Sequence, residues 1–464
     1  MKNYLVLVAI AVVFALVLGA CGQGNGGGAA APGGNGATAD APAAATEEIA
    51  PAEQTDDAAT VNDGERIPMT VQFLGITDDQ IETVISLGDY DQPYWRYKFG
   101  TREAIERYLP HLDVTFVDWG WAEALDAQQR SLIAAGNIPD LVFGELFMPT
   151  YANEGILYPL PQDIVDSVNP SFMISDPQGV PVAVAHRASV FMLFYNRDLL
   201  ENAGFDSPPR YWDEWQYMSD TITALGQGEF WGGGIPSFPH AGGALRATPF
   251  FRQNGTDFFM DGRVMFDDPN LHETLQFIRE MNRNLPPGLG NMADEGPMWN
   301  AFEEQQIIGF VVNGSWQASG AERNNLNWGV APLPIPRGGQ EGNCLVGAIF
   351  SAVPRGASNP EASFDIIRIS LSEELSSIWL EDTVPSPRQD IISDSSRWEH
   401  NPTLAAAIEA VAGGQVTGLA TFPANDTQIW EIINTQVLAR TTITEDPVED
   451  IANDAFNMIN ALLN

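Results

Sequence analysis

The sequence predicts an α/β protein built from two domains, and three observations support this. Strand-like and helix-like segments alternate along the chain, the pattern of sheets covered by helices on both faces. Helix starts recur as a capping residue followed by proline. About 400 residues follow a low-complexity N-terminal stretch, too many for one ordinary hydrophobic core.

Taken in order, Met69–Leu74 reads as the first strand and Leu112–Asp118 as the second, with Leu112, Val114 and Phe116 alternating against polar or opposite-face neighbours. Trp121, Leu125, Leu132 and Ile133 follow at helical spacing, and Gly136 ends that helix. Asp140–Phe143 is a short buried strand. Val190–Tyr195 is another, leading into a helix over Arg197–Ala203 that stops at Gly204. Trp212, Trp215, Ile222 and Leu225 make the next helical stripe. Asp268-Pro269, Asn359-Pro360, Asn401-Pro402 and Asp446-Pro447 open four further helices. In each, the cap oxygen should accept an orphan backbone N–H, and proline suits the first helical position. Their stripes run through Leu271, Leu275 and Ile278; Ile366, Ile367 and Leu371; Leu404, Ile408 and Val411; and Ile451, Ala455, Met458 and Leu462. Strands at Ile307–Val312 and Leu345–Val353 fall between them.

The start of the chain points to its compartment. Lys2 precedes an apolar run from Tyr4 to Leu18, and Leu18-Gly19-Ala20-Cys21 closes it with small residues. That order is a secretory signal, and the run is shorter than the roughly 20 residues that span a bilayer. Leu-Gly-Ala-Cys is similar to a bacterial lipobox, whose cysteine takes a diacylglycerol and becomes the new N-terminus. The expectation is a signal peptide over residues 1–20, lipidation at Cys21 and a disordered tether to about residue 66, rich in Gly, Ala and Pro and then acidic. Cys344 is the only other cysteine, so no intrachain disulfide is expected. The net charge is −39, and Lys2 and Lys98 are the only lysines. Such a chain repels nucleic acid, whose binding needs basic neutralisation.

Blocks of residues in a fixed order carry a family likeness. They include Leu132-Ile133-Ala134-Ala135-Gly136-Asn137-Ile138-Pro139-Asp140, Tyr151-Ala152-Asn153-Glu154-Gly155 and Tyr195-Asn196-Arg197-Asp198-Leu199-Leu200. Tyr211-Trp212-Asp213-Glu214-Trp215, Asn313-Gly314-Ser315-Trp316, Gly329-Val330-Ala331-Pro332-Leu333-Pro334 and Asn359-Pro360-Glu361-Ala362 continue the series. In these the chain resembles the extracellular solute-binding proteins of ABC importers, in the branch that includes maltose-binding protein. The resemblance implies a two-lobed periplasmic-binding-protein fold with hinge strands and an inter-lobe ligand cleft. It places the first lobe at 67–188 and 340–386 and the second at 189–339 and 387–464. Asp78–Phe99 departs from the family pattern, being longer and more aromatic than the usual first strand-to-helix connection.

The resemblance also implies a sugar-binding role at Trp316 and Trp430, where family members present aromatic rings to the ligand. Flat rings suit the apolar faces of sugars, and polar groups read the hydroxyls. Glu145 and Phe147 follow the strand Asp140–Phe143, at a strand's carboxyl end where α/β folds bind ligands. Ser189 stands near the first inter-lobe crossing. Arg246 lies just beyond a glycine-rich loop, able to take a carboxylate or hydroxyls. Trp95, beside Tyr94, is a candidate first-lobe platform. The implied partners are a carbohydrate solute, ABC permease subunits and the membrane, the last through the lipid anchor. A monomer is expected, with no cofactor and no metal.

Enzyme constellations are missing. With two lysines there is no Gly-Lys-Ser/Thr phosphate loop, and no Gly-x-Ser-x-Gly elbow occurs. The five histidines lack metal-ligand spacing. Acidic doublets such as Glu303-Glu304 do not face each other on a helix. Sixty-one acids leave a glycosidase pair from distant loops open, so a surface-anchored glycan-degrading enzyme stands as the alternative, beside a binder of a non-sugar solute.

Overall fold

Strand β1, Ile67–Gln72, pairs in parallel with β2, Leu112–Val117, so that Ile67 lies beside Leu112 and Gln72 beside Val117. A parallel pair needs a crossover, here made by the helices Asp78–Leu87 and Pro93–Tyr108. Thr77 and Gln80 close a capping box on the first, and Pro93 opens the second. These two helices are what the aromatic departure from the family pattern builds. The computed structural model describes residues 66–463 apart from 145–146, 293–294, 319–320, 322–323, 341–345 and 413–418. The expected signal peptide, Cys21, the tether, Glu145 and Cys344 lie outside the described residues.

The later strands are β3 (Val142–Gly144), β4 (Met173–Ser175), β5 (Pro181–Asn196), β6 (Trp231–Gly234), β7 (Phe259–Met260), β8 (Arg263–Val264), β9 (Ile308–Gly314), β10 (Trp328–Ala331) and β11 (Val346–Ala352). β7 and β8 pair only with each other. The others form one sheet in the order β3-β11-β5-β9-β6, with β4 and β10 also pairing with β5. β5 is 16 residues long, about three times an ordinary strand. Its first part pairs with β4 and β11 as far as Val190↔Val346, and its second part pairs with β9 from Phe191↔Gly314 and with β10. One strand therefore serves two cores. Met69, Val71, Leu112, Phe143, Val184, Ile349 and Ile367 fill the first. Phe191, Trp212, Trp215, Phe250, Phe277, Phe310 and Ile451 fill the second.

Two details differ from the expected division. The passage along β5 falls between Val190 and Phe191, two residues later than 188. Ile392, Leu404, Ile408 and Val411, expected in the second lobe, pack in the first core. The helix Pro402–Ala412 turns the apolar face that holds Leu404, Ala407, Ile408 and Val411 onto that core.

The caps are also mixed. Asp268 accepts from the Asn270 N–H at 2.8 Å, and Asn401 accepts from Thr403 and Leu404, both at 3.1 Å. Asn359 makes no side-chain cap, and Asp446 Oδ2 instead accepts from Arg440 Nε at 2.9 Å. Leu225 is 52 % exposed, so that stripe ends at Ile222. No described helix is long and apolar enough to cross a membrane.

His186 lies in a fully buried stretch of β5. Its ring nitrogens meet the hydroxyls of Ser351 and Ser370, the latter at 3.0 Å. Burial pushes its pKa from 6.5 down to about 3. Between those values the unfolded chain holds a proton that the folded one refuses, so stability falls as pH drops below 6.5, by up to about 1.4 kcal/mol per pH unit. Thermal melts of His186→Gln at pH 6.5 and pH 5 should therefore show a smaller acid-induced loss than the parent, by up to about 2 kcal/mol. An equal loss in both proteins would show that this histidine is not held neutral.

Candidate ligand-binding site

The first lobe presents an aromatic wall. At the carboxyl end of β1 the chain turns through Phe73, a non-glycine residue held at φ +66°. Backbone strain of this kind is uncommon and persists only when the surroundings fix it. Here three rings do so: Phe143 stacks on Phe73 at 4.4 Å, while Trp121 at 5.0 Å and Tyr94 at 5.8 Å meet it edge-on. Trp95 lies T-shaped against Tyr94 at 4.9 Å. One turn along the same helix comes Lys98, three and four residues beyond Trp95 and Tyr94 and so on their face. Its ammonium stands 5.0 Å from the Phe73 ring and 5.5 Å from those of Tyr94 and Trp95.

Lys98 is 1 % exposed. Its one hydrogen bond, to Gln80 Oε1, is long at 3.4 Å, and the Gln80 amide itself donates to Asp118 at 2.6 Å. Burial lowers the Lys98 pKa to about 8, against a smaller raising effect of Asp118. A second cation comes from β5. The Arg187 guanidinium lies 5.7 Å from the Tyr94 ring and 5.1 Å from that of Trp379. Trp379, on the helix Glu373–Glu381, also packs against Tyr97 at 4.4 Å.

The second lobe contributes Trp316, in the turn after β9. It is half-buried and packs both on the second core and on the first-lobe cluster of Tyr97, Leu375, Trp379 and Val384. The indole thus stands where the two lobes meet. A Cβ on Gly314 would collide with its ring, so glycine there makes room for the indole. Phe191 supports it edge-on at 5.5 Å. Ser189 pairs with Gly347 of β11, two residues before β5 passes to β9. Ser189 and Ser315 are both fully buried, and neither hydroxyl has a hydrogen-bond partner.

Other candidates take different places. Trp430 is 6 % exposed, lies edge-on to Phe258 and Phe422, and donates its indole N–H to Ala420 O at 3.1 Å. It is a packing residue of the second core, contrary to expectation, because its helix turns that face inward. Arg246, expected to take a ligand's carboxylate or hydroxyls, is engaged within the second lobe. Its guanidinium donates to Gly242 O at 2.8 Å and Asn313 Oδ1 at 2.9 Å and is ion-paired with Glu295. Lying 5.4 Å from the Phe191 ring, it supports the residue that supports Trp316. Phe147 is buried beneath the wall, beside a cavity of about 10 Å³ lined also by Trp121, Phe143 and Tyr151. Trp95 lies in the wall, against Tyr94 and Lys98.

Beyond Phe147 the lobes face each other across an open pocket of about 660 Å³, lined by Asp126, Arg130, Thr150 and Glu154 on one side and by residues 421–428 on the other. Thr150 bridges it by donating to Asp426 Oδ2 at 3.1 Å. Volume of this order suits a small organic ligand. Arg130 is already held by Asp126 and Glu154. Among the described residues no group of three or more His, Cys, Asp or Glu could hold a metal.

A family model described as bacterial extracellular solute-binding protein matches residues 93–375. The chain belongs to that family. As a solute-binding protein it has an extracytoplasmic setting, and its relatives are binding proteins. One, from Brucella abortus (strain 2308) and named a binding protein, is 24 % identical over 292 residues, covering 59 % of this chain and 68 % of that one. Solved structures share the two-lobed fold of this solute-binding protein at low identity. Maltose-bound MalE3 of T. maritima is 20 % identical with a TM-score of 0.70, covering 86 % of this chain and 99 % of the other. An ABC transporter solute-binding protein of Thermotoga lettingae TMO, bound with α-D-tagatose, is 19 % identical with a TM-score of 0.68, over 86 % and 100 %. UgpB of Mycobacterium tuberculosis, in complex with glycerophosphocholine, is 16 % identical with a TM-score of 0.65, over 86 % and 98 %.

Proposed function

We propose that this chain is the lipid-anchored substrate-binding protein of an ABC importer, and that its ligand is a sugar or oligosaccharide delivered to a membrane permease. The observation that carries this reading is Trp316, a half-buried indole that packs on both the second core and the first-lobe cluster. Aromatic ring faces bury the apolar faces of sugars. Several structural neighbours carry sugars in their solved complexes, which favours the same ligand class here.

Isothermal titration against mono- and oligosaccharides tests the ligand class. Saturable binding of at least one sugar is expected. Binding of an amino acid, polyamine or metal with silence across sugars contradicts it. The anchor is tested separately by mass spectrometry of the mature protein from a bacterial membrane. Diacylglycerol and acyl mass on Cys21, lost in Cys21→Ala, is the expected result, and a cut elsewhere with no lipid contradicts it.

A further inference from the structure

The two cations of the first-lobe wall have a feature that sugar stacking does not use. Among the described arginines that are not exposed, Arg187 alone makes neither a hydrogen bond nor an ion pair. Its Nε is buried without a partner. That is unexpected in a chain with 61 acidic and 22 basic residues, where carboxylates are plentiful and Arg96, Arg102, Arg130, Arg368 and Arg388 each have one. Lys98 is the only lysine beyond Lys2, and it too is enclosed by rings with a single long acceptor. Both cations lie against Tyr94, which puts them within about 11 Å of each other.

Withdrawing a cation from water without a hydrogen-bonded partner is costly, and aromatic faces repay only part of the cost. Two such cations on one wall form a site electrostatically complete only when an anion is present. A guanidinium fork matches the two oxygens of a carboxylate or phosphate, and an ammonium adds a point charge.

We infer that the ligand is an anionic sugar, whose ring lies against Trp316 and whose carboxylate or phosphate is held by Arg187 and Lys98. The inference rests on the sugar reading above and narrows it. The strongly negative surface does not oppose it, because a low-dielectric pocket concentrates the field of its own charges.

Titration calorimetry tests it with uronic-acid disaccharides, their neutral methyl esters, glucose 1-phosphate, neutral disaccharides and inorganic phosphate alone. At least one anionic sugar should bind about ten- to a hundredfold more tightly than its uncharged counterpart. The uronate and sugar-phosphate arms identify which anion is meant. Arg187→Gln, shown by circular dichroism to be folded, should lose that preference while keeping residual affinity for the sugar. Neutral sugars binding as well as or better than charged ones would overturn the inference and leave the sugar reading standing. An undiminished preference in Arg187→Gln would also overturn it. Silence across every sugar, charged and neutral, would remove the sugar reading itself.

Discussion

Trp316→Ala is expected to weaken ligand binding by about ten- to a hundredfold while leaving the protein folded. A sugar covers part of one indole face, roughly 60–100 Å², and at about 25 cal/mol per Å² this is about 1.5–2.5 kcal/mol. The indole is only half-buried, so its removal should cost less stability than the 3–5 kcal/mol typical of a core tryptophan. Trp430→Ala supplies the contrast. That ring is buried among Phe258 and Phe422, so the change should cost about 3–5 kcal/mol of stability and leave affinity unchanged in the folded protein. Calorimetry and thermal melts on the two variants separate the roles. Lost stability with retained affinity in Trp316→Ala would show that it is a packing residue.

Lys98→Met is expected to stabilise the unliganded protein. The folded pKa of about 8 lies below the ordinary 10.5, so the buried ammonium opposes folding at neutral pH. The full shift corresponds to about 3 kcal/mol, from which the lost attraction to the rings subtracts about a third to a half, leaving a gain of about 1.5–2 kcal/mol. The pH dependence has a definite sign. Below pH 8 both states hold the proton and the penalty is complete. Between pH 8 and 10.5 the folded protein sheds the proton first, so the parent regains stability and the advantage of the methionine shrinks. Denaturant unfolding at pH 7 and pH 9.5 checks this. A variant less stable than the parent at pH 7 would mean that the ammonium is satisfied by contacts worth more than its burial costs.

Much of the architecture was readable from the residues because it is local. Alternation in Leu112–Val117, the stripe through Leu271, Leu275 and Ile278, and the Asp268-Pro269 and Asn401-Pro402 starts are short-range patterns, and each corresponds to an element. Trp316 follows the strand read at Ile307–Val312, and its proposed role came from the family resemblance. The wall was not, because Phe73, Lys98, Arg187 and Trp379 come from four distant segments and meet only through tertiary packing. One signal did exist: Tyr94-Trp95 followed at helical spacing by Lys98, the only lysine beyond Lys2. Arg246 read as available because its partner Glu295 lies forty-nine positions away. The ligand-facing expectation for Trp430 came from the family resemblance, and the contacts of its helix turn it inward.

The most direct measurement is a crystal structure of the protein grown with a sugar that titration has shown to bind. The sugar should lie between the lobes, one ring face against the Trp316 indole and its far side toward Phe73, Tyr94 and Trp95. A sugar seated on the outer surface of one lobe, with Trp316 still packed and untouched by ligand, would contradict the assignment of the site.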